Sequence, residues 1–277
     1  MLTYLHTNIP SPILLSWGPI DIRWYGLIIS LSIISALLLS FWLGKKYYQI
    51  KHDDIFDLAF WLIIGGIVGA RLYDVFLQLP YYWQKPIEIL KIWQGGLAIH
   101  GAIIAGLIII YYFGKKHKIS FLKISSLAVP SLALGQAIGR FGNYFNQELF
   151  GLPTNSPWGI PIEPWHRPLE YLNYTHFHPT FLYESLACLI IALILILRHI
   201  YANKRQLINH TFFAWSLAIY MILYSLVRFL LEFIRLDPTP LFLGLRWPQI
   251  ISLFFILSAI LLIINIKKDV LEQKKEK

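Results

Sequence analysis

Apolar runs of about 20 residues recur along the whole chain, each long enough to cross a hydrocarbon core of roughly 30 Å. Seven of them, bounded by charge, lie near residues 22–43, 55–78, 96–114, 124–142, 179–198, 211–234 and 248–266. This pattern predicts an all-α, polytopic membrane protein with seven transmembrane helices. Composition supports it: 14% of the residues are charged and 57% hydrophobic, whereas a soluble domain carries about 25% charged residues. The spans leave no room for a separate soluble domain, so residues 1–277 read as a single integral membrane domain.

The net charge of +9 does not mark a nucleic-acid binder, because the basic residues punctuate the apolar runs and form no continuous face. Clusters follow the first, third, fifth and seventh runs: Lys45, Lys46 and Lys51; Lys115, Lys116, Lys118 and Lys123; Arg198, Lys204 and Arg205; and Lys267 through Lys277. They hold 15 of the 24 Lys and Arg residues. The positive-inside rule therefore predicts an external N-terminus and a cytoplasmic C-terminus. Tyr and Trp gather at run edges (Trp24, Tyr25, Tyr47, Tyr48, Tyr81, Tyr82, Trp83, Trp93) as interfacial belts do. Met1 to Pro19 lacks a basic n-region before a compact apolar stretch, so the first span is expected to act as the insertion signal itself.

The one cysteine, Cys188, sits inside an apolar run and reads as a buried small hydrophobe. It excludes a disulfide within the chain and argues against a cysteine-based zinc site. The longest connection, residues 143–178, is rich in Pro, Asn, Trp and His and is expected on the outer side. A connection of this length is usually functional or contains further elements. No solenoid repeat or inverted repeat is evident, which weakens a transporter reading.

Ionisable groups inside spans are costly and mark function by default. Here they are Arg71, Asp74, His100, Arg140, Glu184, Arg228 and Glu232, with Arg235 at a span end. Under the expected topology all fall in the outer half of the membrane, as in a shared polar cavity open to the outer leaflet. Tyr224, Arg228, Glu232 and Arg235 follow one another at spacings of four, four and three, which stacks them on one helical face. Glu232 can then hold both arginines while neutralising one, or simply tie helices together. Arg228 with Arg140 and Arg71 gives an excess of positive charge suited to a lipid phosphate. His100 lies between Gly95-Gly96-Leu97-Ala98-Ile99 and Gly101. It reads either as a hydrogen-bonded core histidine or as a proton-transfer group.

The densest motif runs Gly139-Arg140-Phe141-Gly142-Asn143-Tyr144-Phe145-Asn146-Gln147-Glu148-Leu149-Phe150-Gly151. As generic chemistry it is either a wet turn or a segment that presents amides and a carboxylate to a polar ligand. It resembles the signature of prolipoprotein diacylglyceryl transferases, of the form G-R-x-G-N-[FY]-x-N-x-E-x-x-G. The resemblance extends through Arg23-Trp24-Tyr25-Gly26, Gly69-Ala70-Arg71, Trp93 to Gly101, His178 to Glu184, and Tyr224 to Arg228 with Glu232, Phe233 and Arg235. Tyr224-Ser225 departs from the usual Tyr-Gly, and Leu245 to Gln249 is looser than the family form, so no role is assigned to it.

The resemblance implies a bacterial inner-membrane enzyme without metal or organic cofactor. The donor would be phosphatidylglycerol and the acceptor the lipobox cysteine of a prolipoprotein signal peptide, with a thioether formed and glycerol 1-phosphate released. A free thiol is only a few per cent thiolate at neutral pH, so His100 is expected to take or relay its proton. Arg140 and Arg228 would bind phosphate and stabilise the leaving charge. Tyr25, Asn143, Asn146, Glu148 and Tyr224 would position the head group, with Glu232 and Arg235 beside them, and Gly151 would let the loop turn back. The competing classes are a transporter or flippase for an anionic lipid, and a lipid-binding scaffold.

Overall fold

The computed structural model describes residues 2–18 and 20–275, which form seven long helices with short elements between them. The long helices are α1 (Trp24–Leu43), α2 (His52–Leu77), α3 (Ile99–His117), α4 (Phe121–Phe145), α5 (Thr180–Lys204), α6 (His210–Leu231) and α7 (Trp247–Lys275). Among the described residues, these seven are long and apolar enough to cross a membrane. Leu38, Ile104, Leu193 and Leu257 are among the many large apolar side chains left exposed on them. Such faces suit a lipid solvent. Among the described residues six short strands pair as antiparallel hairpins: β1 (Ile13–Trp17) with β2 (Ile20–Arg23), β3 (Ile160–Pro161) with β4 (His176–Phe177), and β5 (Leu241–Phe242) with β6 (Leu245–Arg246).

Local chemistry sets the helix ends. Asn209 caps α6 by accepting from the Phe212 amide at 3.0 Å. The third span starts at Ile99 instead of residue 96, because Gly95 and Gly96 adopt φ of 96° and 69°, outside helical space. The sixth span was expected to run to 234 but stops at Leu231. The Ile234 carbonyl accepts from the Leu152 amide at 2.8 Å, and Leu236 donates to Phe150, so the chain leaves the helix to pair with residues 150–152. Arg235 therefore sits in an antiparallel bridge with Gly151 and does not continue the helical face of Tyr224 and Arg228.

The chain divides into two compact units, Met1–Leu39 with Ala128–Lys277, and Ser40–Leu127. In the first, Val129 and Ala133 of α4 meet Ile191, Ala192 and Leu195 of α5 and Tyr220 of α6, and α7 packs along α6. Past the ends of α4 and α5, a second apolar cluster joins Leu5, Tyr144, Phe150, Ile160, Ile162, Phe177, Phe181 and Leu182. It anchors the 143–178 connection, which carries the β3–β4 hairpin and two 3-10 turns, Pro164–His166 and Leu169–Tyr171. Cys188 is fully buried, as expected of a small hydrophobe.

In the second unit α2 and α3 touch along small residues. A Cβ on Gly101 would stand 2.1 Å from the Gly69 carbonyl oxygen, and one on Gly69 would stand 2.5 Å from the Ala105 Cβ. Glycine at both positions lets the two backbones approach where neither apolar solvent nor larger side chains would bring them together.

Candidate functional site

Two carboxylates define the site in the first unit. Glu184, in the second turn of α5, and Glu232, just after α6, are each 1% exposed. A buried carboxylate this far from water needs charged or hydrogen-bonding partners, and both have them. Glu184 Oε1 takes Arg140 Nη2 at 2.6 Å and the Tyr224 hydroxyl at 3.1 Å. Its Oε2 takes Arg228 Nη1 at 3.4 Å and lies 3.6 Å from Arg235 Nη1. Glu232 Oε2 takes Arg228 Nη2 at 3.0 Å, while its Oε1 lies 3.0 Å from Arg246 Nε.

Helical spacing alone predicts that Glu232 holds Arg228 and Arg235. Glu232 instead joins Arg228 to Arg246, and Arg235 turns to Glu184 and to Asp237, at 2.6 Å from Nε to Oδ2. The reason is the early end of α6, which swings Arg235 off the helical face. Arg246, at the end of β6, reaches back as a fastener. It donates to the Arg235 carbonyl at 2.5 Å and to the Asp237 carbonyl, and its Nε lies 3.0 Å from Thr239 Oγ1.

Arg140 leads outward along a second chain of contacts. Its Nη1 donates to Asn143 Oδ1 at 3.3 Å, and Asn143 Nδ2 donates to Glu148 Oε1 at 2.7 Å. Asn146 reaches the same oxygen at 3.4 Å. Tyr25 closes over this end of α4: a Cβ on Gly142 would come within 2.8 Å of its ring. Gln147 and Leu149 adopt φ of 51° and 59°, a costly left-handed geometry for non-glycine residues. Gln147 is held there by its side-chain amide, which donates to the Pro10 carbonyl and Glu163 and accepts from the Glu163 amide. Gly151 is hemmed in by the Ile234 carbonyl, Thr180 and His178, all within 3.0 Å of where a Cβ would stand.

Hollows border α4 in this unit. A polar one of about 470 Å³ is lined by Arg23, Asn146, Glu148, Glu163, Trp165 and His166, among others. An apolar one of about 430 Å³ runs along Leu134, Ala137, Ile138 and Phe141 against Trp24 and Leu189. Phe145 belongs to both.

His100 and Arg71 belong to the second unit. His100 lies in the first turn of α3, half-buried, with its ring 5.8 Å from that of Tyr73. Contrary to the excess charge expected from sequence, Arg71 supplies no free positive charge. Its guanidinium donates to the carbonyls of Glu88, Ile89, Gly95 and Gly96, and one nitrogen lies 3.8 Å from Asp74. Every face of the group is thus used to hold residues 88–96 against α2, just ahead of His100. Asp74 in turn accepts from Tyr82 and Gln78, and that hydrogen bond raises the Tyr82 phenol above its ordinary pKa. Among the described residues no three His, Cys, Asp or Glu side chains gather as metal ligands do.

Of the residues singled out from sequence, Arg140, Asn143, Asn146, Glu148, Tyr224, Arg228, Glu232 and Arg235 thus fall in one connected network, with Tyr25 and Gly151 packed at its edge. From sequence alone Glu184 stands out only as an intramembrane charge, and neither Arg246 nor Asp237 carries an expected role. The signal available was the charge of Arg246 and Asp237 beside the sixth and seventh spans.

Residues 12–265 match the profile of the family described as prolipoprotein diacylglyceryl transferase. Similar curated proteins bear the name phosphatidylglycerol–prolipoprotein diacylglyceryl transferase. One from a Nostoc species is 44% identical over 255 residues, covering 91% of this chain and 87% of that protein. One from Acaryochloris marina is 46% identical over 245 residues, covering 88% and 86%. One from a Synechocystis species is 43% identical over 251 residues, covering 90% and 86%.

Proposed function

The chain belongs to the prolipoprotein diacylglyceryl transferase family, and from that premise we propose that its arginine–carboxylate network is where the transfer takes place. The protein is a membrane transferase that moves the diacylglyceryl group of phosphatidylglycerol to prolipoproteins, the first step of lipoprotein maturation. The observation that carries the site is the pair of buried carboxylates, each 1% exposed, holding four arginines beside the Gly139–Gly151 segment.

In the reaction an S–C bond forms at the diacylglyceryl carbon and the C–O bond to phosphate breaks. Its electron pair leaves on glycerol phosphate. Arg140 and Arg228 keep partly accessible side chains, 21% and 16% exposed, and bind the phosphate. Fixed guanidinium donors stabilise the charge that develops on the leaving oxygens. Asn143, Asn146 and Glu148 form the adjoining polar wall and, with Tyr25 and Tyr224, position the head group. For the acceptor thiol, which must ionise to attack, the proton acceptor proposed from the sequence is His100 of the second unit. The site opens toward the outer face of the inner membrane, where exported precursors present that cysteine.

Purified protein in detergent, given phosphatidylglycerol and a lipobox peptide, is expected to release glycerol phosphate and add a diacylglyceryl mass to the peptide. Arg140→Ala and a Cys→Ser peptide should each abolish both signals. Release that persists in Arg140→Ala would move the chemistry away from this network. Near-normal turnover in His100→Gln would remove histidine as the base.

A further inference from the structure

We propose that Glu184 is a positioning residue that locks Arg140 and Arg228 into one phosphate fork and sets its net charge to that of a single phosphodiester. The inference rests on the functional reading above and deepens it, giving Glu184 a role beyond holding arginines.

Glu184 receives guanidinium groups from three separate segments: Arg140 on α4, Arg228 on α6 and Arg235 in the following bridge. Its two oxygens face different arginines, Oε1 toward Arg140 and Oε2 toward Arg228. No other described carboxylate pairs with both, so this one group fixes the distance between them. Arg235, 5% exposed at its side chain, is engaged by Glu184 and Asp237 and is structural. Each of Arg140 and Arg228 has five N–H bonds and gives only part of them to the network, so both retain donors for a ligand.

The charge balance is equally specific. Arg140, Arg228, Arg235 and Arg246 are ion-paired to Glu184, Glu232 and Asp237, which leaves one uncompensated positive charge. The neutral Tyr224 hydroxyl, Cys188 one turn further along α5 and the Tyr220 hydroxyl on α6 also face Glu184. Glu148 lies beyond Asn143 and borders the polar hollow with Arg23. A lipid phosphodiester carries one negative charge and makes this ion-paired cluster, which Glu148 reaches only through Asn143, neutral when occupied. The thiol proton balances the products: glycerol phosphate that keeps it is a monoanion, and the monoester that loses it, with a second pKa of about 6, is a dianion. In a poorly solvated site the dianion leaves an uncompensated negative charge and is expelled. Glu184 thereby favours substrate over product, and without it a second positive charge would retain the dianion.

Binding of glycerol 1-phosphate to the detergent-purified full chain, measured by calorimetry at several pH values, tests this directly. For wild type the affinity should fall about tenfold between pH 5.5 and 7.5. Glu184→Gln should reverse that trend and bind the ligand at least tenfold more tightly than wild type at pH 7.5. Glu184→Asp, which keeps the charge and shortens the reach, should retain the wild-type affinity and trend but lose kcat with little change in KM. Wild type that binds more tightly as pH rises overturns charge matching whether or not the variants fold. Equal affinities for the Gln and Asp variants overturn it too. The functional reading fails separately, if wild type bound to phosphatidylglycerol and peptide releases no glycerol phosphate.

Discussion

The arginines differ in what surrounds them more than in their chemistry. Each of their charges could be read from the sequence, but their partners depend on where α6 ends. Spacing alone assigns Arg235 to Glu232, whereas the turn after Leu231 assigns it to Glu184 and leaves Glu232 for Arg246. The charge of Arg246 is visible beside the seventh span but its partner is not, because it lies outside the apolar runs and comes back through the β5–β6 hairpin. Two outcomes follow. Arg140→Lys loses the planar fork that addresses Glu184 and, in the proposed mechanism, phosphate, so turnover should drop on the order of a hundredfold with melting temperature little changed. Arg246→Met removes one of the two guanidinium partners of Glu232 and three further contacts in the same turn. It should destabilise the protein by about 2–4 kcal/mol, seen as a lower melting temperature in detergent. An unchanged melting temperature would show that the fastening contact carries little of the fold.

At the level of elements, periodicity and run length located all seven helices, because an apolar run long enough to span lipid has few other options. Their edges were displaced wherever a backbone conformation intervened. Gly95 and Gly96 delay α3, and Asn143 proves to be in the last turn of α4, which continues to Phe145. Helix pairing was not legible, since glycines look alike in a sequence and only some stand at contacts. Gly69 faces Ala105 and the Gly101 carbonyl, whereas Gly66, three residues earlier, has nothing within 4 Å of a Cβ position. Gly69→Ala should therefore force α2 from α3 and cost roughly 1–3 kcal/mol. Gly66→Ala should be neutral or stabilise the helix by up to about 1 kcal/mol. Thermal unfolding of the two variants side by side decides this, and equal losses would contradict the packing.

For the molecule as a whole, the ion network and the 143–178 connection lie at one end of the first unit, so the side of the membrane that end faces decides which substrates reach it. The alternation of basic clusters sets the expectation: residues 115–118 and 204–205 cytoplasmic, residues 143–178 outside. The protein's own Cys188 is fully buried and offers no exposed thiol to an impermeant reagent. Single cysteines introduced at exposed positions then report their side. Asn155→Cys should react with a membrane-impermeant maleimide on intact cells, and Lys116→Cys only after permeabilisation. This outcome would put the Glu184 and Glu232 network on the face where a precursor's cysteine arrives after export, while its signal segment still lies in the bilayer. The reverse labelling would place the network on the cytoplasmic face. The acceptor thiol would then have to be captured before export, and the positive-inside reading would fail together with the proposed orientation of the site.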